Sequence, residues 1–266
     1  MNYKPTKDVL LYAKYSTAFV AGGTSGTVVY DPEKAYSWEA GIKSDWFDHR
    51  LRANLAAFTV KYKNVQTAQS GLNVGVPEIA LVVSDLYDER AKGFELETTA
   101  VPLRGVTLGA SLGYTDVKIL RIIPQVVPVS VLGVPISLSN FFPTLQPKWT
   151  ADLSAQYQTR PVLAGSEVTF QINAAWRDKE LTDPYAIDQA VPQFASITYA
   201  PATWLLNARV ALDHLRLPYG EGRIAIWAKN LTNDRSITFP DIAGGFIAST
   251  EFQAARTFGV DVGFKY

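Results

Sequence analysis

Few residues in this chain could do chemistry, and their types and spacing limit what that chemistry could be. Cysteine is absent, which excludes a thiolate metal site, a cysteine nucleophile and a disulfide framework. Only two histidines occur, His49 and His214, too few for a histidine-rich metal centre. Asp213 directly precedes His214, a pairing that could suggest a general base beside a carboxylate. A usable base also needs a positioned substrate and partners, and residues 213–222 read as a short turn. We therefore read His214 as a solvated turn histidine, and His49, in the short link 45–49, in the same way. Asn230-Leu-Thr232 matches a glycosylation acceptor, but that tripeptide is common and falls where a strand runs into a loop. No catalytic, cofactor-binding or metal-ligating residue is assigned. Lys+Arg and Asp+Glu each number 25 in 266 residues, so charge gives no reason to expect a nucleic-acid partner.

What the sequence offers instead is a pattern. Over Arg256–Tyr266, the residues Phe258, Val260, Val262, Phe264 and Tyr266 share one parity and Gly259, Asp261, Gly263 and Lys265 the other. A strand here has one apolar and one polar face and ends on an aromatic carboxy terminus. Such a last strand fits a transmembrane β-barrel, which seats the terminal aromatic at the membrane interface. No run of about 18 apolar residues free of proline and charge exists, so a helical span is not expected.

The same grammar recurs along the chain. Alternation predicts strands over 9–19, 36–43, 50–64, 93–100, 106–115, 149–157, 168–176, 204–212, 223–230 and 256–266, about ten in all. Two irregularities stand out. In the strand from Arg50 the apolar parity runs Leu51, Ala53, Leu55, Ala57 and then switches to Phe58, Val60, Tyr62, which predicts a bulge. In the strand from Arg223, Trp227 sits on the polar parity. The pattern is lost over 65–89. Residues 116–147 are apolar but broken by Pro124, Pro128 and Pro135, which predicts a long loop.

The connections alternate strictly. Short turns near 45–49, 101–105, 158–166 and 213–222 follow long loops near 20–34, 64–90, 116–147, 178–203 and 234–255. The expected fold is therefore all-β: an antiparallel up-and-down transmembrane β-barrel portion with short periplasmic turns and long extracellular loops. A soluble sandwich would more often mix its loop lengths. Aromatics should collect at strand ends facing lipid. Phe19, Trp38, Tyr114, Trp149, Trp176 and Trp204 fall near the long-loop ends on the apolar parity, and Trp46, Tyr157 and Tyr266 near the short-turn ends. Glu39, Lys43, Glu95, Glu97, Asp152, Arg177, Arg209, Arg223, Lys229, Asp261 and Lys265 would line the opposite, luminal face, with mixed signs that give no strong ion selectivity.

Several segments resemble the TonB-dependent outer-membrane receptors. Pro32-Glu-Lys-Ala-Tyr-Ser-Trp-Glu-Ala-Gly-Ile-Lys-Ser44 and the strand from Arg50 through Tyr62 and Gln66 look like two successive strands of that family. Gly93-Phe-Glu-Leu-Glu97, Gln146-Pro-Lys-Trp-Thr150 and Trp227-Ala-Lys-Asn-Leu-Thr232 are similar to later ones, in the same order. The chain departs from the pattern at Asp234-Arg-Ser-Ile237, where the family has an aromatic, and at Ala255, where it often has proline.

The resemblance implies that residues 1–266 are a carboxy-terminal barrel segment of a receptor that takes up a scarce ligand of the iron–siderophore, vitamin or carbohydrate class across the outer membrane of a Gram-negative bacterium. Its implied partners are outer-membrane lipid, the plug and remaining strands, the TonB energy-coupling complex and the barrel assembly machinery. The machinery would read Phe258, Phe264 and Tyr266 as its signal. Ligand contacts are expected from the long loops, with the apolar 116–147 loop favouring a ligand with hydrophobic surface. Met1–Asp8 lacks the features of a signal peptide, and neither a plug nor the first half of a barrel of about 22 strands has a counterpart here, so the chain is expected to be part of a longer protein. The contrasting expectations are a stand-alone small outer-membrane barrel acting as a pore or enzyme, and a soluble all-β binding protein.

Overall fold

Period-two alternation leaves every second side chain on the same side of an extended chain, and such segments satisfy their backbone groups by pairing with neighbours. The computed structural model describes residues 1–70, 81–123, 145–162, 165–182, 199–243 and 247–266, and they form this pairing almost throughout. In chain order the strands are β1 (Asn2–Thr6), β2 (Val9–Val20), β3 (Gly23–Ser25), β4 (Val28–Tyr30), β5 (Glu33–Trp46) and β6 (Leu51–Ser70). There follow β7 (Leu81–Ala100), β8 (Val106–Ile122), β9 (Trp149–Gln158), β10 (Glu167–Arg177), β11 (Glu180–Leu181) and β12 (Tyr199–Ala200). The chain ends with β13 (Thr203–Leu217), β14 (Gly220–Lys229), β15 (Ile237–Ala243), β16 (Ile247–Phe252) and β17 (Thr257–Lys265).

Eleven strands make one antiparallel sheet in the order β1-β2-β5-β6-β7-β8-β9-β10-β13-β14-β17, the up-and-down order expected from the alternation of short and long connections. Among the described residues no pairing joins β1 to β17, so the sheet has two edges. Neighbouring strands are staggered. One row of paired residues begins at Trp46 at the short-turn end of β5 and passes through Leu51, Ala100, Leu108, Ala155, Ile172, Ala208 and Ala228. It ends at Phe258, near the long-loop end of β17. Every member is apolar, and the drift from one end of the strands to the other is the tilt that a closing barrel requires.

The structure corrects several expectations. There are eleven strands rather than ten, because Asn2–Thr6 pairs with β2; its Pro5 hides the pattern and is tolerated on an edge. No bulge occurs at Ala57 and Phe58, where β6 stays in unbroken register with both neighbours. The irregularity lies further on, between Tyr62 and Val65, with Asn64 at φ 55°. A register shift there flips the parity of everything beyond it, so the ends of β6 and β7 read from sequence as loop. Likewise β8 runs on to Ile122 and β13 to Leu217, past a register shift between Leu212 and Leu215. The loops after β2, β10 and β14 carry the two-stranded ladders β3-β4, β11-β12 and β15-β16.

The sheet does not enclose an apolar core among the described residues. Among the described residues the buried hydrophobic side chains are Leu86, Ala211 and Ala225 in the sheet and Val28 and Ala200 in the loop ladders alone, whereas Trp38 is 60% exposed, Phe258 68% and Val262 77%. In water, so large a contiguous apolar area would be covered by another layer or another molecule.

Candidate functional site

The two faces of the sheet are chemically distinct, because pairing places residues of one parity side by side across strands. On the apolar face, one row runs Ala13, Ala40, Ala57, Phe94, Tyr114, Trp149. Its aromatic end is a cluster: Tyr114 and Trp149 have ring centroids 4.6 Å apart, and Phe94 lies 5.8 Å from each. Trp38 packs at 4.7 Å on Tyr15 and Trp176 at 6.1 Å on Trp204. Phe19 projects further toward the loop after β2, 76% exposed. At the opposite strand ends Tyr157 stacks on Phe170 at 6.4 Å and Phe264 lies 6.4 Å from Tyr266. Trp46 donates its indole N–H to Ser44 Oγ at 2.9 Å. The aromatics expected from sequence thus lie on one face in two tiers. Tyr15, Phe94 and Phe170 belong with them and were missed; their parity was legible, their cross-strand partners were not.

The polar face is a hydrogen-bonded wall. Tyr12 Oη donates to Glu39 Oε1 at 2.9 Å, Lys14 Nζ is 3.0 Å from Glu39 Oε2, and the Lys43 ammonium stands 5.8 Å above the Tyr12 ring. Asn54, Glu95 and Glu97 join them around a shallow concavity of ≈ 360 Å³. Further along, Gln171 Nε2 donates to Gln156 Oε1 at 2.7 Å and Arg177 pairs with Glu180 and with Thr203 Oγ1. Arg223 Nε lies 2.8 Å from Asp213 Oδ1, whose other oxygen accepts from Thr169 Oγ1 at 3.0 Å. Ion pairs on this wall thus join Lys14 to Glu39, Arg177 to Glu180 and Arg223 to Asp213, while Glu95, Glu97, Asp152, Arg209, Lys229, Asp261 and Lys265 form none among the described residues.

Of the aromatics that break the polarity of this face, three sit directly across from a glycine, Tyr12 from Gly41, Phe58 from Gly93 and Trp227 from Gly259, whereas Tyr62 sits across from Ala35 and Glu89. A Cβ on these glycines would come within 2.6 Å of the Tyr12 ring, 2.9 Å of the Phe58 ring and 2.1 Å of the Trp227 indole. The rings therefore lie flat on bare backbone. This explains both Phe58 and Trp227 without a change of register.

No catalytic arrangement forms around the histidines. Asp213 is held by Arg223 and Thr169 rather than by His214, whose Nδ1 faces Glu221 at 3.5 Å from an exposed position at φ 58°. His49, 3.5 Å from Asp45 and at φ 63°, belongs to an exposed turn. Among the described residues no group of three His, Asp or Glu side chains could hold a metal ion. The apolar stretch 124–144, within the loop expected to meet ligand, lies outside the described residues.

Beyond the upper aromatic tier, the ends of β6, β7 and β8 form a separate polar patch. Arg121 Nε is 3.1 Å from Asp88 Oδ2, and the Asn64 N–H donates to Asp88 Oδ1 at 3.0 Å. Burial pushes the Asp88 carboxyl up, but the guanidinium and the amide N–H outweigh it and hold it below its ordinary value. Glu89 is pushed up, first by burial and then by the neighbouring Glu33 carboxylate.

Comparison with known proteins gives one family. The profile described as TonB dependent receptor-like, beta-barrel, matches residues 1–231. The "Metal-pseudopaline receptor CntO" of Pseudomonas aeruginosa is 32% identical over 121 residues, which are 45% of this chain and 16% of that receptor. Among solved structures, the ferric yersiniabactin uptake receptor FyuA of Yersinia pestis superposes with a TM-score of 0.70 at 15% identity. The siderophore receptor PiuA of Acinetobacter baumannii does so with a TM-score of 0.69 at 20% identity. The superpositions cover 98% and 100% of this chain and 35% of each of those chains.

Proposed function

The chain belongs to the TonB dependent receptor-like β-barrel family, and from that premise we propose that it forms part of the barrel wall of an outer-membrane receptor for TonB-dependent uptake of a scarce ligand. The observation that carries this reading is the uncovered apolar face, bounded above and below by aromatic tiers and backed by a charged face. Hydrocarbon would solvate the first face and a water-filled or plugged lumen the second. Trp38 and Trp46 are eight residues apart on β5, about 26 Å along the strand at roughly 3.3 Å per residue, and a tilt of about 40° brings their separation along the membrane normal to roughly 20 Å, within the apolar band of about 25 Å in membrane barrels.

On this reading residues 1–266 act as the carboxy-terminal strands of the barrel. Phe19, Trp38, Tyr114, Trp149, Trp176 and Trp204 anchor the long-loop interface, and Trp46 and Tyr157 the short-turn interface. Phe258, Phe264 and Tyr266 present the last strand to the barrel assembly machinery. The polar wall contacts the plug, whose movement couples to the TonB complex. We assign the chain no enzymatic step. A metal chelate is the favoured cargo class, because a "Metal-pseudopaline receptor" and siderophore receptors stand among its relatives and structural neighbours.

Uptake of radiolabelled ferric chelates by cells with and without the segment encoding this chain tests the proposal. Uptake that disappears both on deletion and on loss of TonB is expected. Uptake of every chelate tried at unchanged rate in the deletion strain would overturn the metal-chelate assignment, and a folded chain that stays in water without detergent would overturn the membrane reading.

A further inference from the structure

We propose that the apolar side of the β5–β8 strand ends, just beyond the upper aromatic tier, is a binding surface for phosphate-bearing lipid headgroups; the inference rests on the membrane placement above. Pairing puts Tyr36 opposite Lys61, Lys61 opposite Arg90 and Arg90 opposite Lys118, so three cations stand directly side by side across three strands. Lys63, opposite Lys34, and Lys92 flank that row on the same face. Like charges directly opposite one another in a sheet are destabilising; the attractions that the described residues supply here are that of the Asp88 carboxylate for Lys61 and that of the Tyr36 ring for the flanking Lys63, 5.8 Å away. Among the described residues none of the six cations has a carboxylate within 4.0 Å. Of the two carboxylates on this side, Asp88 is taken by Arg121, which leaves Asp116. Arg90 Nε, shielded from solvent, has no hydrogen-bond partner among the described residues.

The position selects the occupant. Lys92 lies two residues beyond Phe94 and Lys118 four beyond Tyr114, about 7 Å and 13 Å along their strands. With the aromatic tier at the hydrocarbon boundary, this is the depth of lipid phosphates. A phosphomonoester brings several acceptor oxygens and up to two negative charges, suited to bridging neighbouring Lys and Arg donors from adjacent strands. Bound there, it would turn an unfavourable cation ladder into a charge-assisted hydrogen-bond network.

The test uses the chain in phosphatidylcholine vesicles doped with spin-labelled phosphatidic acid or, separately, spin-labelled phosphatidylcholine, with quenching of tryptophan fluorescence as the readout. The phosphatidic acid label is expected to quench more. Lys61→Gln, Arg90→Gln and Lys118→Gln together are expected to lower its relative association constant on the order of a hundredfold, at about fivefold per cation. The charge-keeping set Lys61→Arg, Arg90→Lys and Lys118→Arg should retain it. Equal quenching by the two lipids, or unchanged preference in the neutralised variant, would overturn the inference while leaving the membrane reading intact. So would loss of the preference on adding inorganic phosphate at the same concentration, which marks a site for a free anion. Failure to insert into either vesicle would overturn the membrane reading and the inference with it.

Discussion

Trp227 lies across the β14–β17 pair on Gly259, close enough that a Cβ at Gly259 would meet its indole at 2.1 Å, and its N–H donates to Asp261 Oδ1 at 3.1 Å. A large ring on a polar face is usually costly to place. Here the missing glycine side chain gives it a flat seat, and the carboxylate satisfies its one donor. Phe58 on Gly93 and Tyr12 on Gly41 use the same device.

Gly259→Ala is therefore expected to destabilise the β14–β17 pair by about 1–3 kcal/mol, the usual cost of overpacking. Trp227→Ala should lose ring burial, yet combined with Gly259→Ala it should cost less than the two single changes summed, because the clash disappears with the ring. Denaturant unfolding of the four proteins gives the coupling energy directly, and additive costs would show that the ring does not depend on its glycine.

Asn230, 4% exposed, organises the start of the loop between β14 and β17. Its Nδ2 donates to the carbonyls of Asp234 at 2.8 Å and Ala254 at 2.7 Å, while its Oδ1 accepts from the Asp234 N–H at 2.9 Å. Asn230→Ala leaves these groups without partners, at about 1–3 kcal/mol for each that stays buried. Asn230→Asp keeps the acceptor but sets a carboxylate oxygen against two carbonyls, and should rescue little. Faster proteolysis between β14 and β17 in both variants is the expected result.

Ile172 stands on the apolar face between the Tyr157–Phe170 and Trp176–Trp204 pairs, and its chain neighbour Gln171 faces the polar wall. Ile172→Arg is expected to oppose membrane folding by about 2–4 kcal/mol, the cost of a cation at the midplane. Gln171→Arg should cost far less. Folding yield into lipid vesicles, read from heat-modifiable gel migration, separates the two. Equal yields would mean that the apolar face does not meet lipid.

The Asp88–Arg121 pair gives the strand ends beyond the aromatic tier a pH dependence. Because the folded Asp88 carboxyl titrates below its unfolded value of about 3.9, its contribution is fully present above that value and is lost as pH falls through the lower folded one. Glu89, pushed up in the fold, acts in the opposite sense and favours folding as pH drops through its raised value. Arg121→Gln leaves burial as the main influence on Asp88, so its titration should move upward. An NMR titration of the Asp88 carboxyl carbon in both proteins checks this; an unchanged midpoint would show that the ion pair is not formed.

Alternation by itself determined the all-β class, the up-and-down order and the two chemically distinct faces, because strand periodicity is local and a row such as Leu51, Ala53, Leu55 needs no knowledge of its neighbours. It also placed Trp38, Trp149 and Trp204 on the apolar side. Register was not legible. The shift at Asn64 flips parity midway along β6, so a strand reaching Ser70 looked like loop, while the unbroken run through Phe58 looked bulged. Only pairing shows that Phe58 and Trp227 face glycines on the next strand, that Tyr15 and Phe94 complete the aromatic tier, or that Lys61, Arg90 and Lys118, far apart in sequence, stand in one row. Such relations are cross-strand, and their geometry is set by hydrogen-bond register between segments whose separation the local sequence does not encode.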